Sequence, residues 1–236
     1  MLYTTLVSLM TLVATGLAAP AGGNKQVQVQ NKCNYDLTVA QMTNGQAFGQ
    51  LSPLAKGQSK TYSMAHDWSG RFWARTGACS SSDTNCTTAG AAGPASLAEF
   101  TFGGWGGADY YDISFVDGFN LPVEIVPVGG KNSTVSQGKY NCGSPICATL
   151  PTCPDNFKMD GDNGSMFACK SACSATGKDS DCCTGSFNNP KVCKANQFAS
   201  EMKNVCPDAY SFAYDDSTST FTCEAASYNV VFCPSK

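Results

Sequence analysis

Residues 97–116 run Leu97-Ala98-Glu99-Phe100-Thr101-Phe102-Gly103-Gly104-Trp105-Gly106-Gly107-Ala108-Asp109-Tyr110-Tyr111-Asp112-Ile113-Ser114-Phe115-Val116. Successive side chains of a strand point to opposite faces, so Ala98, Phe100 and Phe102 share one face and Glu99 takes the other. In the second half Tyr111, Ile113 and Phe115 oppose Tyr110, Asp112 and Ser114. The glycine-rich connector suits a hairpin loop, and pairing Phe102 with Asp109 sets Glu99 opposite Asp112. Two carboxylates are thereby expected side by side, on the face turned away from the apolar side.

Outward from this hairpin, strand signals dominate wherever cysteines are sparse. Gln26-Val27-Gln28-Val29-Gln30 alternates apolar and amide side chains, the period of a half-buried strand. Leu37 to Ala40, Ser59 to Met64, Arg71 to Thr76 and Leu121 to Val126 are further strand candidates, and Asp117-Gly118 reads as a turn. Residues 131 to 195 carry no sustained period and read as loops with short helices. One helix is expected over Ser165 to Ala175, where Cys169 and Cys173, four apart, would share a face.

The 236 residues hold 14 cysteines, all downstream of an apolar leader from Met1 to about Ala18 that ends in Gly16-Leu17-Ala18-Ala19. The leader lacks a basic first region but has the length and small-residue end of a signal peptide, so residues 1–18 are expected to be removed and the chain secreted, extracellular or in a cell wall. An even cysteine count in an oxidising compartment points to seven bridges. Zinc is disfavoured, because only His66 offers a nitrogen ligand and no pair of CxxC units is present, and no metal or cofactor is expected. His66 itself reads as an exposed loop residue. A net charge of -3 without any Lys/Arg stripe argues against nucleic acid as a partner. One short leader with no second apolar run argues against a membrane span. Asn85, Asn132 and Asn163 head N-glycosylation sequons.

At Trp73-Ala74-Arg75-Thr76-Gly77, Pro94-Ala95-Ser96-Leu97-Ala98-Glu99-Phe100, Asp109-Tyr110-Tyr111-Asp112-Ile113-Ser114, Val116-Asp117-Gly118-Phe119-Asn120-Leu121-Pro122, Asp181-Cys182-Cys183-Thr184-Gly185 and Cys206-Pro207-Asp208-Ala209-Tyr210-Ser211, the sequence resembles the thaumatin-like proteins of pathogenesis-related group 5. The resemblance covers essentially the whole mature chain. It implies a mainly β fold: a thaumatin-like β-sandwich over residues 22–140 and 206–236, with a disulfide-rich loop and helix domain at 141–205 beside it. It also implies the bridges Cys33 to Cys233, Cys79 to Cys86, Cys142 to Cys223, Cys147 to Cys206, Cys153 to Cys169, Cys173 to Cys182 and Cys183 to Cys193. The usual sixteen cysteines are fourteen here, which predicts a shortened, looser subdomain over residues 77–93.

The family's acidic interdomain cleft carries one Arg, one Glu and three Asp. The matching motifs imply Glu99, Asp112, Asp117 and Asp215 as candidate catalytic residues, whereas the Arg is replaced by Gly49 or Gln50, which should leave the acids less neutralised and raise at least one pKa. Arg75 is expected to be structural. From composition alone, four acids in a secreted protein are solvated surface; two that face each other in a cleft are what glycoside hydrolysis needs. Trp105, Tyr110, Phe119 and Tyr214 are candidates for stacking on sugar rings. With one histidine and no G-x-S-x-G, a serine or cysteine nucleophile has no base. The resemblance thus implies a monomeric, secreted endo-β-1,3-glucanase that acts on β-1,3-glucan or another cell-wall polysaccharide. Two alternatives stay open: a non-catalytic glucan-binding antifungal protein, and a hydrolase inhibitor.

Overall fold

The computed structural model describes residues 23–79, 82–90, 93–161 and 166–235. The leader and the Asn163 sequon lie outside the described residues. Within them the alternation of residues 97–116 becomes two antiparallel strands, Leu97–Thr101 and Asp109–Ser114, with Glu99 opposite Asp112.

These strands lie in the larger sheet. Its spatial order is Ala209–Tyr210, Asp109–Ser114, Leu97–Thr101, Ser69–Thr76, Leu37–Thr43 and Gln50–Leu54, and Phe221–Cys223 also pairs with Asp109–Ser114. A five-stranded sheet holds Ile146–Cys147, Val123–Val128, Ser227–Phe232, Lys25–Asn31 and Ser59–Met64 in that order. Its strands Lys25–Asn31 and Ser227–Phe232 run parallel, and the Cys33 to Cys233 disulfide closes the chain just beyond them. Val27, Val29, Ile125 and Val230 from this sheet share one buried cluster with Phe72, Phe100, Tyr111 and Ile113 from the larger one. Burying each such side chain contributes about 1.5–3 kcal/mol, which fixes register, because a one-residue slip would put all of them in water.

The cysteine-rich segment builds a small sheet of Lys158–Asp160, Met166–Lys170 and Gly118–Phe119. Here the helix expected over 165–175 is corrected. Met166–Lys170 is a strand, paired with Lys158–Asp160 on one side and with Phe119 and Gly118 on the other, and the helix Ala172–Thr176 starts only after Ser171, whose side chain caps it. Cys169 therefore bonds Cys153, and Cys173 bonds Cys182. Non-local strand pairing outweighs the local i, i+4 spacing. The helix Gln197–Val205, capped by Asn196, buries Phe198, Ala199 and Met202, and Phe198 lies 6.5 Å from the Phe119 ring. All seven disulfides implied by the resemblance are formed.

The short loop around Cys79 to Cys86 is held by Arg75, which is only 1% exposed. Its guanidinium donates to the carbonyls of Asn85 (2.8 Å), Pro94 (2.6 Å) and Gly93 (2.6 Å), and it stacks 4.7 Å from the Phe167 ring centre. Burial lowers its pKa to about 10, partly offset by Asp83.

Candidate functional site

The outer face of the larger sheet carries the candidate site, and strand register alone assembles it. Arg71 pairs with Glu99, and Glu99 with Asp112, so three charged side chains form one row across three adjacent strands. Directly opposite residues have Cβ atoms about 4.5–5.5 Å apart, within carboxyl-to-carboxyl reach. On the inner face of the same strands, Phe72, Ala98, Ile113, Phe100 and Tyr111 are all buried, which holds the row in place from below. The row floors an open cavity of about 390 Å³, also lined by Leu97, Ser114, Val116, Asp117, Tyr210 and Ala213.

Asp117 reaches the cavity from the chain's crossing into the small sheet. Its carbonyl accepts from Ser174 Oγ at 2.7 Å, and the next residue, Gly118, pairs with Lys170 at φ +125°. Only glycine fits there: a Cβ would lie 2.1 Å from the carbonyl oxygen of Cys169. The glycine thus lets Asp117 turn out towards the row while the backbone docks on the Met166–Lys170 strand.

All three acids are harder to ionise than ordinary carboxyls. Burial is the first cause in each case. Glu99 is raised by burial, opposed by Arg71, raised further by Asp117 and lowered by a hydrogen bond from Ser114. Asp112 is held well above the usual carboxylate range by burial, then by Glu99 and Asp216. Asp117 is raised by burial and lowered by Arg71. Glu99 and Asp112 interact directly, so they titrate as a pair that keeps one proton more readily than either alone would. The Tyr210 hydroxyl, at the cavity wall, donates to Asp216 at 3.0 Å, and burial raises its pKa.

Asp215 is placed differently. Its carboxylate accepts from Ser211 N and Oγ, both at 3.0 Å, and from Thr218 Oγ1 at 2.7 Å, and it pairs with Lys203 at 3.1 Å. It does not line the cavity. These bonds hold the turn that follows Ala209–Tyr210 and carries Ala213 to the cavity wall.

Arg71 is the residue that sequence reasoning missed. Its Nη1 lies 3.7 Å from Glu99 Oε1, and its Nε is buried with no hydrogen-bond partner among the described residues. A neighbouring strand thus supplies one positive charge to the row, while all three acids stay raised. Gly49 has no room for the charge: a Cβ there would meet the Trp73 ring at 2.6 Å, while Gln50 is exposed at a strand start. The signal was present in the alternation of Arg71 with Phe72 and of Phe72 with Trp73, which puts Arg71 on the face of Glu99; the register between their strands was not. Of the aromatic candidates, Phe119 is fully buried in the core, Tyr214 donates to Asn188 at 2.7 Å, and Trp105 and Tyr110 stay at the outer surface. His66 is exposed in a turn, as expected.

Comparison with known proteins bears on the family and the fold. The model of the Thaumatin family matches residues 31–234. The chain is 39% identical over 248 residues to Thaumatin-like protein 1 of Pyrus pyrifolia, covering 96% of this chain and 98% of that one. It is 36% identical over 249 residues to a Prunus avium protein named glucan endo-1,3-beta-glucosidase, covering 98% and 99%. Among solved structures, a laminaripentaose-producing beta-1,3-glucanase in complex with laminaritetraose shares the fold, with a TM-score of 0.60 at 11% identity over 90% of this chain and 99% of that one.

Proposed function

The chain belongs to the thaumatin family, and from that premise we propose that it is a secreted protein whose acidic cleft binds β-1,3-glucan and cleaves it internally. The observation that carries this reading is the row Arg71, Glu99, Asp112 with Asp117 beside it, in one open cavity. Extended polysaccharide needs an open groove, and glycosidic cleavage needs one carboxyl that holds a proton and one that has lost it. In this reading the Glu99 and Asp112 pair keeps a proton, and Asp117, raised by burial with no neighbouring acid adding to it and Arg71 opposing it, serves as the ionised partner.

In this mechanism Glu99 gives its proton to the glycosidic oxygen as the bond to the anomeric carbon breaks, and that bond's electron pair stays on the departing oxygen. Water attacks the anomeric carbon and yields its proton to Asp117. Before Glu99 gives up its proton the nearby carboxylate of Asp112 favours a proton on the pair, and afterwards Arg71 steadies the charge left on Glu99. The leader and the seven disulfides support an extracellular setting, where such polymers lie. Binding without cleavage is the second reading, favoured by Asp215, whose carboxylate is fully occupied and leaves the cleft one acid short of the implied set.

Pull-down on insoluble linear β-1,3-glucan tests the shared part of both readings. The wild type should sediment with the polymer, and Asp112→Asn with Asp117→Asn should stay largely in solution. Equal sedimentation of both would remove the cleft from the account.

A further inference from the structure

The outer face of Asp109–Ser114 does not end at Asp112. Two residues on, roughly 7 Å along the strand, Tyr110 faces the same side and is half-buried. Beside it, Ser69 and Thr101 share a hydroxyl hydrogen bond of 2.6 Å. Beyond Tyr110, the connector holds Trp105, which at 77% is the most exposed large apolar side chain among the described residues.

An exposed tryptophan costs a soluble protein something, and this one is braced rather than loose. Gly104 N bonds the Ala108 carbonyl at 2.8 Å, and Gly107 N the Gly104 carbonyl at 2.9 Å. Gly103 N bonds Oδ1 of Asp109, a fully buried carboxylate whose Oδ2 takes Lys25 at 2.7 Å and the Tyr228 hydroxyl at 2.6 Å. Gly104 lies directly over the Tyr110 ring, whose hydroxyl donates to the Trp105 carbonyl at 3.3 Å. A partly buried ion pair thus fixes a loop whose one large side chain is left in water. One exposed apolar side chain is ordinary by itself; here it is held beside the Tyr110 ring and the Ser69 and Thr101 hydroxyls, and a flat indole with neighbouring hydroxyls suits the apolar face and polar rim of a sugar ring.

We propose that Trp105 and Tyr110, with the Ser69 and Thr101 hydroxyls, form a stacking subsite for further sugar units of a β-1,3-glucan chain that runs from the acids along Asp109–Ser114. The proposal rests on the glucan reading of the cleft. The acids hold the unit being processed, and the aromatic end makes affinity depend on chain length: a disaccharide seated on the acids stops short of Trp105, and a hexasaccharide covers it. Rigidity of the loop means that little ordering entropy opposes this contact.

The other two tryptophans, Trp68 at 7% and Trp73 at 0% exposure, are buried, so acrylamide quenching of fluorescence reports on Trp105. Quenching and affinity would be measured with laminaribiose and laminarihexaose on wild type, Trp105→Ala and Trp105→Phe. In the wild type the hexasaccharide should bind tighter and shield the indole, and the disaccharide should leave quenching unchanged. Trp105→Ala should lose at least about fivefold in hexasaccharide affinity with disaccharide affinity kept, and Trp105→Phe should recover part of the loss. Hexasaccharide binding with unchanged quenching, or equal affinity in Trp105→Ala, overturns the subsite and leaves the cleft reading intact. If neither sugar binds the wild type, the cleft reading falls and the subsite with it.

Discussion

Replacing Arg71 by Gln removes the one cation of the acid row, and the size of the effect follows from its distance. Arg71 Nη1 stands 3.7 Å from Glu99 Oε1, with side-chain exposures of 26% and 34%. A unit charge pair at about 4 Å is worth about 1 kcal/mol in water and about 4 kcal/mol at an effective dielectric of 20. Both groups keep contact with solvent, so the lower part of that range applies, about 1–2 kcal/mol. Loss of a nearby positive charge makes the carboxylate harder to form, so Glu99 and Asp117 should both titrate at higher pH in Arg71→Gln. The fold should tolerate the change, because Arg71 Nε has no hydrogen-bond partner among the described residues. Carboxyl-carbon NMR titration of both proteins from pH 3 to 8 reads the shift directly. Unmoved or lowered midpoints for Glu99 and Asp117 would refute the electrostatic account of the row.

Asp112→Asn should stabilise the protein at neutral pH. A carboxyl whose folded pKa is raised contributes stability below its unfolded pKa and loses it as pH rises through the folded value, so the neutral amide removes a cost at pH 7 and none at pH 3; melting scans should show a gain of about 2–4 °C per kcal/mol at pH 7 only. Arg75→Ala should lower the urea midpoint by the equivalent of about 3–5 kcal/mol, since it strands the carbonyls of Asn85, Gly93 and Pro94 and empties the site over Phe167; a midpoint unchanged within error would contradict the role given to this side chain. Full reduction should abolish folding, because each bridge contributes about 2–4 kcal/mol and that between Cys33 and Cys233 spans 200 residues; an unchanged melting temperature with all fourteen thiols titratable would sink this claim.

The pairing of Glu99 with Asp112 was legible because a period-2 pattern and a short glycine-rich connector leave little freedom in register. Ser59–Met64 was likewise readable from local pattern alone. Arg71 was not, since its strand ends at Thr76 and Leu97–Thr101 begins twenty-one residues later, and only the folded register brings Arg71 opposite Glu99. The segment around Cys169 failed for the same physical reason. Its spacing fits a helix face, but the partners that make it a strand, Phe119 and Gly118, are some 50 residues away and carry no local signal. Disulfide partners came from the family resemblance, not from spacing. For Tyr214-Asp215-Asp216 the sequence offers two adjacent acids; the fold binds the first to Ser211, Thr218 and Lys203 and leaves the second within electrostatic reach of Asp112.

The most direct test of the central claim is release of reducing ends from soluble linear β-1,3-glucan at mildly acid pH by purified wild type and Glu99→Gln, with glucan binding by both measured in parallel. The account predicts steady release by the wild type, release at least about a hundredfold slower by Glu99→Gln, and retained binding by both. Binding without any release by the wild type, or equal release by the two proteins, would contradict it.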